Sequence, residues 1–149
     1  MKNKSPLRSV SNITAAAALD IINTAFSEAE KVGVNISVAV VDTSLTLIAF
    51  TKGDGATAHS TETSRRKANT AASTGKATGW MDKELAKTLP MASGNLLTNI
   101  PGGVPLKFGG VLGGGLGVAG GTVEQDNEIA KSTLKTIGAD EAQIFVVGN

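Results

Sequence analysis

Ten of the chain's 18 glycines lie between Gly102 and Gly121, in a run that also carries Val104, Leu106, Val111, Leu112, Leu116 and Val118. Glycine among β-branched and aliphatic residues weakens a strand unless something must approach its backbone. The run therefore predicts strands that pass close to a neighbouring element or to another subunit. Within it, Gly115-Leu116-Gly117-Val118-Ala119-Gly120 spells G-x-G-x-x-G, and Asp140 and Glu141 follow about twenty residues on, as in a dinucleotide-binding unit. Context excludes that assignment. The motif must open a helix and precede a second parallel strand, and only about thirty residues remain after Gly120, too few for a nucleotide-binding sheet. No Walker-type phosphate loop is present. A helix starting near Thr122 would offer N–H groups to an anion. Glu124 and Asp126 in its first turn oppose this, because they already compensate the helix dipole.

The rest of the chain supplies local signals. Ser11 or Asn12 can cap a first helix that ends at Gly33, with Leu19, Ile22, Phe26 and Ala29 as its apolar stripe and Glu28 and Lys31 off it. Ile36-Ser37-Val38-Ala39-Val40-Val41-Asp42 and residues 45–52 read as two strands joined at Thr43-Ser44. So short a connection requires antiparallel pairing. A second helix is expected over residues 60–73, with Glu62 and Arg66 four apart and able to pair. A short helix over residues 82–87, closed by Pro90, follows. Thr122 and Gln125 match a capping box for the last helix. That helix would bury Ile129, Ala130, Thr133, Leu134 and Ile137 and end at Gly138. Residues 144–147 read as a last short strand. The order predicts an α+β fold, an antiparallel sheet with helices on one side.

At 149 residues the chain suits one domain, with residues 1–11 a flexible N-terminal segment. Aromatics are only 3% with no tyrosine, which leaves few platforms for stacking bases, and the net charge of +1 provides no field for a polyanion. Nucleic acid is thus an unsuitable partner. Without cysteine there is no disulfide, thiolate metal site or covalent haem attachment, and a single histidine excludes a multi-histidine metal site within one chain. The basic N-terminus lacks a signal-peptide core, since Asn12, Asp20 and Asn23 interrupt the stretch after it. No segment reaches membrane-spanning length. The expectation is a cytoplasmic protein.

Few residues stand out for chemistry. His59 follows a glycine loop and precedes a helix. It is either an exposed loop residue or an iron ligand or general base. Met81 and Met91 are gap-fillers or weaker thioether ligands. Arg65, Arg66 and Lys67 are consecutive and so point in different directions on a helix. Asp54, on its glycine loop, and Lys67 are candidates for an opposite-charge pair around one pocket. No catalytic carboxylate pair or serine elbow can be drawn.

Val38-Ala39-Val40-Val41-Asp42, Leu47-Ile48-Ala49-Phe50 and Asp54-Gly55-Ala56 resemble the first hairpin of the GlcG/HbpS-like proteins. Lys67-Ala68-Asn69-Thr70-Ala71 resembles their second helix. Pro101-Gly102-Gly103-Val104-Pro105-Leu106 and residues 113–121, followed by Glu124-Gln125-Asp126, resemble their C-terminal signature. The likeness spans roughly residues 14–137. Gly53 stands where members commonly carry methionine, and Lys52 where they carry arginine. The resemblance implies a profilin-like fold and homo-oligomers. It also implies kinship with haem-binding proteins and with the C-terminal domain of PduO-type corrinoid adenosyltransferases. It suggests non-covalent haem b as a ligand, with His59 or an oxygen donor on the iron and Lys52, Lys67 or Lys107 on the propionates. The candidate ligand-binding set is Lys52, Asp54, Gly55, His59, Lys67, Pro101, Gly102, Gly103 and Glu124. Three functions remain open. The first is a non-enzymatic small-ligand or tetrapyrrole binder, accessory to glycolate, diol or glycerol catabolism. The others are an enzyme with a polar pocket at Asp54 and Lys67, and a structural oligomer.

Overall fold

The computed structural model describes residues 5–145. Its elements run α1 (Ala15–Val32), β1 (Ser37–Asp42), β2 (Leu47–Lys52), α2 (Ser60–Thr74), α3 (Lys83–Ala92), β3 (Gly103–Phe108), β4 (Val111–Ala119) and α4 (Val123–Ile137). The strands form one antiparallel sheet in the order β2-β1-β4-β3. The α+β class and the antiparallel hairpins agree with the sequence. Gly109 and Gly110, both at positive φ (59° and 80°), make the tight turn between β3 and β4.

The helices do not lie on one side. Val38 and Val40 of β1, with Leu116 and Val118 of β4, pack into the main core with Ile21, Ile22 and Ala25 of α1 and Ile129, Ala130 and Leu134 of α4. Successive strand residues face opposite ways. Ala39 and Val41 therefore meet Ala68 and Ala72 of α2 on the other face. The sheet is a middle layer because both of its faces are apolar.

The α2 face owes its closeness to glycine. A Cβ on Gly117 would collide with the carbonyl oxygen of Ser64, one on Gly115 with that of Ala68, and one on Gly103 with that of Lys67. The helix thus rests on strand backbone. The expected close approach is intramolecular.

Several local expectations shift. α1 is capped by Thr14, whose side chain accepts from Ala17 N (3.1 Å). Asn12 instead accepts from Thr43 N and Oγ1, tying the N-terminal segment to the β1–β2 turn. Leu19 is 59% exposed, and the buried face of α1 is Ala18, Ile21, Ile22, Ala25 and Ala29. Glu28 is buried and accepts from Thr136 Oγ1 (3.0 Å) and Lys31 Nζ (3.1 Å), joining α1 to α4. α3 continues through Pro90, which sits in its last turn where little helix remains to lose. No side chain of α3 is buried. The capping box at Thr122 and Gln125 and the end of α4 at Gly138 are as read. Of the expected last strand, Ile144 and Phe145 lie outside the sheet, and residues 146 and 147 fall outside the described residues.

Gly117→Ala should lower stability by about 2–3 kcal/mol, the range for overpacking against a rigid neighbour. Urea denaturation checks this. Gly113→Ala, where a Cβ comes no closer than 3.4 Å to Ile13 N, should cost less than about 1 kcal/mol.

Candidate functional site

Lys67 is on the sheet-facing side of α2 and only 1% exposed. Its Nζ donates to Val118 O of β4 (2.8 Å) and to Asp126 Oδ2 of α4 (2.9 Å). Asp126, 3% exposed, accepts at Oδ1 from Gly121 N (2.9 Å). One ammonium therefore connects a helix, a strand and the start of another helix. Burial pulls the Lys67 pKa below its ordinary 10.5, and the Asp126 charge and hydrogen bond only partly oppose this.

The Pro101-Gly102-Gly103 loop closes over this pair. A Cβ on Gly102 would lie 2.6 Å from Val118 O, 2.8 Å from Lys67 Nζ and 3.0 Å from the Asp126 Cβ, and Gly102 has φ 120°. Only glycine suits that position. Gly103 is pinned by Thr78, whose Oγ1 accepts from Gly103 N (2.9 Å) and whose N donates to Gly103 O (3.0 Å).

Beside the pair lies a cleft of about 320 Å³ at the N-terminal end of α2. His59, Ser60 and Thr63 form one wall, Gly120, Gly121 and Val123 another, with Ile100 and Ala119 between and Lys67 and Asp126 at the base. His59 is exposed at the mouth, and its imidazole has no hydrogen-bond partner among the described residues. Ser60 is fixed from below, its Oγ 2.7 Å from Ser37 Oγ and donating to Thr57 O.

The candidate residues divide accordingly. Lys67, Gly102, Gly103 and His59 gather at the cleft or directly beneath it, and Pro101 is buried next to them. Asp54 is not the partner of Lys67. It is exposed on the β2–α2 loop, where Gly55 turns at φ 79° beside Asn35. Asp126, read from the sequence as a capping acid, holds the lysine instead. Glu124, two residues before it in the same turn, is exposed. Lys67 is buried, with two of its three donors on Val118 O and Asp126, so its charge is already matched by Asp126. Lys52 is exposed and stands opposite Ser37 in the β1–β2 register, hence on the α2 face near the cleft. Lys107 belongs elsewhere: its Nζ donates to Gly75 O (2.8 Å) at the far end of α2. There it lines a second cavity, of about 400 Å³, with Lys76, Trp80, Pro105 and Phe145. Asp126, Gly120, Gly121 and Thr63 were missed as site residues. The sequence marked Asp126 only as a first-turn acid of the last helix and as part of the Glu124-Gln125-Asp126 signature, neither of which points to Lys67.

Residues 13–135 match the sequence model of the family described as haem degrading protein HbpS-like. The chain belongs to the HbpS-like family. No curated protein matches it in sequence. Klebsiella pneumoniae protein ORFY is similar in structure, with 29% identity, 95% of this chain and 99% of that chain covered, and a TM-score of 0.81. A double mutant of Streptomyces reticuli HbpS is 30% identical over 91% of this chain and 94% of its own, at 0.78. PduOC, solved as a complex with haem, is 26% identical over 89% of this chain and 99% of its own, at 0.80. These likenesses agree with the HbpS-like resemblance read from the hairpin, the second helix and the glycine-rich signature. Among the described residues of this HbpS-like chain, no helix is long and apolar enough to cross a membrane.

Removing one member of the buried pair strands the other. Asp126→Ala should cost about 3–5 kcal/mol in urea denaturation, and joint replacement as Lys67→Met with Asp126→Leu should be milder than either single change. In a heteronuclear NMR titration the Lys67 ammonium should lose its proton below 10.5.

Proposed function

We propose that this chain is a non-enzymatic binding protein for haem b or a related tetrapyrrole, held without covalent bonds in the cleft at the N-terminal end of α2. The observation that carries the proposal is His59, an exposed imidazole without a hydrogen-bond partner among the described residues, at the mouth of a cleft in a chain of the HbpS-like family. The donor set suits such a group. Ile100, Ala119, Gly120, Gly121 and Val123 offer an apolar wall for one edge of a flat ring, and His59 would offer an imidazole nitrogen to its iron. At about 320 Å³ the cleft is at the small end of ligand sites, so it would hold one side of the macrocycle and leave the other at the surface. Among the described residues no three histidine or acidic side chains converge on a metal position. His59 would therefore serve as a lone protein ligand to iron whose other ligands the macrocycle supplies. An accessory role in glycolate, diol or glycerol catabolism, in the cytoplasm, is the biological setting we attach to this reading. Exposed Leu47, Met91, Ile100 and Phe108 supply apolar surface for the homo-oligomer we expect.

A second reading, an acid–base enzyme, has one observation behind it: a buried lysine with a lowered pKa at the base of a cleft. Its Nζ is hydrogen-bonded to Val118 O and Asp126. Both contacts would have to break before it met a substrate, so binding is the better-supported function.

Titrating purified apoprotein with hemin should give a saturable Soret shift. His59→Ala should change that spectrum and weaken binding by about tenfold or more, equivalent to about 1.4 kcal/mol. Absence of saturable binding by the unaltered protein would sink the proposal. An unchanged spectrum in the variant would remove His59 as the iron ligand.

A further inference from the structure

His59, Thr63, Arg66 and Thr70 follow one another along α2 at spacings of four, three and four, so they share one flank of the helix. His59 and Thr63 line the cleft, and Arg66 is the next residue on that flank, one turn beyond the lining. It differs from both neighbouring cations. Arg65 pairs with Glu62 at 2.6 Å, and Lys67 is bound to Asp126 and Val118 O. The expected Glu62–Arg66 pair does not form, because Glu62 reaches Arg65 three residues on instead. Arg66 is left with no side-chain hydrogen bond or ion pair among the described residues, and its Nε is buried without an acceptor. Asn69 Oδ1, one turn along, is likewise buried and unpartnered, and no hydrogen bond joins the two.

A guanidinium is a planar fork of donors, always charged, whose geometry matches a carboxylate. Its buried Nε lacks the acceptor that such a group normally finds. The seven residue steps from His59 to Arg66 span about 10 Å along the helix. That is comparable with the reach from the centre of a tetrapyrrole to its propionate carboxylates. Resting on the tetrapyrrole reading of the cleft, we propose that Arg66 is the carboxylate anchor of the site. The ligand is then a tetrapyrrole with free propionates, and esterified or neutral rings are discriminated against.

Three probes separate this role from iron ligation: hemin, metal-free protoporphyrin, and hemin dimethyl ester. They are titrated into the unaltered protein, Arg66→Ala, Arg66→Lys and His59→Ala, with thermal melts confirming folding. Arg66→Ala should weaken hemin and protoporphyrin by about tenfold or more and leave the ester unchanged, with Arg66→Lys recovering part of the loss. His59→Ala should alter the hemin spectrum but leave protoporphyrin binding intact. Equal affinity of Arg66→Ala and the unaltered protein for hemin and protoporphyrin would overturn the anchor while leaving the tetrapyrrole reading standing. An equal loss for the ester would also overturn it, because Arg66 would then act only through packing. Failure of the unaltered protein to bind any of the three would overturn both.

Discussion

Gly115 and Gly117 let α2 lie directly on the backbone of β4, with the carbonyl oxygens of Ser64 and Ala68 where side chains would otherwise stand. Ala39, Ala68 and Ala72 keep the rest of that interface thin. A helix this close to a sheet places its residue 67 within reach of a strand carbonyl. A long side chain directed there must end in a donor, since what it meets is the Val118 carbonyl oxygen, an acceptor, while Val118 N already donates to Gly102 O. The glycines thus dictate both the layer spacing and the chemistry beneath the cleft.

The Lys67–Asp126 pair follows from that closeness. Burying an ammonium is costly unless a counter-ion and further acceptors meet it. Here the counter-ion comes from α4 and the further acceptor from β4, while Gly121 N satisfies the other oxygen of Asp126. The result fixes the start of α4 against α2, so the two walls of the cleft keep a set separation. On this account the pair shapes the site from below. His59 and Arg66, whose side chains have no hydrogen-bond or ion-pair partner among the described residues, are the groups left to meet a ligand.

Features set by neighbours in sequence were legible. The capping box at Thr122 and Gln125, the glycine ends of α1 and α4, and the hairpin pairing depend on a few adjacent residues. The glycine-rich run correctly signalled close backbone approach, but not which element approaches. Long-range pairing was hidden. Asp126 lies 59 residues from Lys67 and looked like an ordinary first-turn acid, whereas Asp54 was nearer and on a glycine loop. On α1 the buried face was read correctly at Ile22 and Ala29, with Phe26 packed against the core, and wrongly at Leu19. Leu19 is the more hydrophobic residue, yet it is exposed while Ala18 and Ala25 are fully buried. Arg66 was obscured because a four-residue spacing to Glu62 seemed sufficient to neutralise it, and only rotamers show which arginine the carboxylate takes.

The most direct test of the account is a crystal structure of the protein with hemin bound. The iron should lie within bonding distance of His59, with a propionate on Arg66 and the Lys67–Asp126 contact unbroken beneath. Hemin seated in the cavity around Trp80, at the other end of α2, would contradict it.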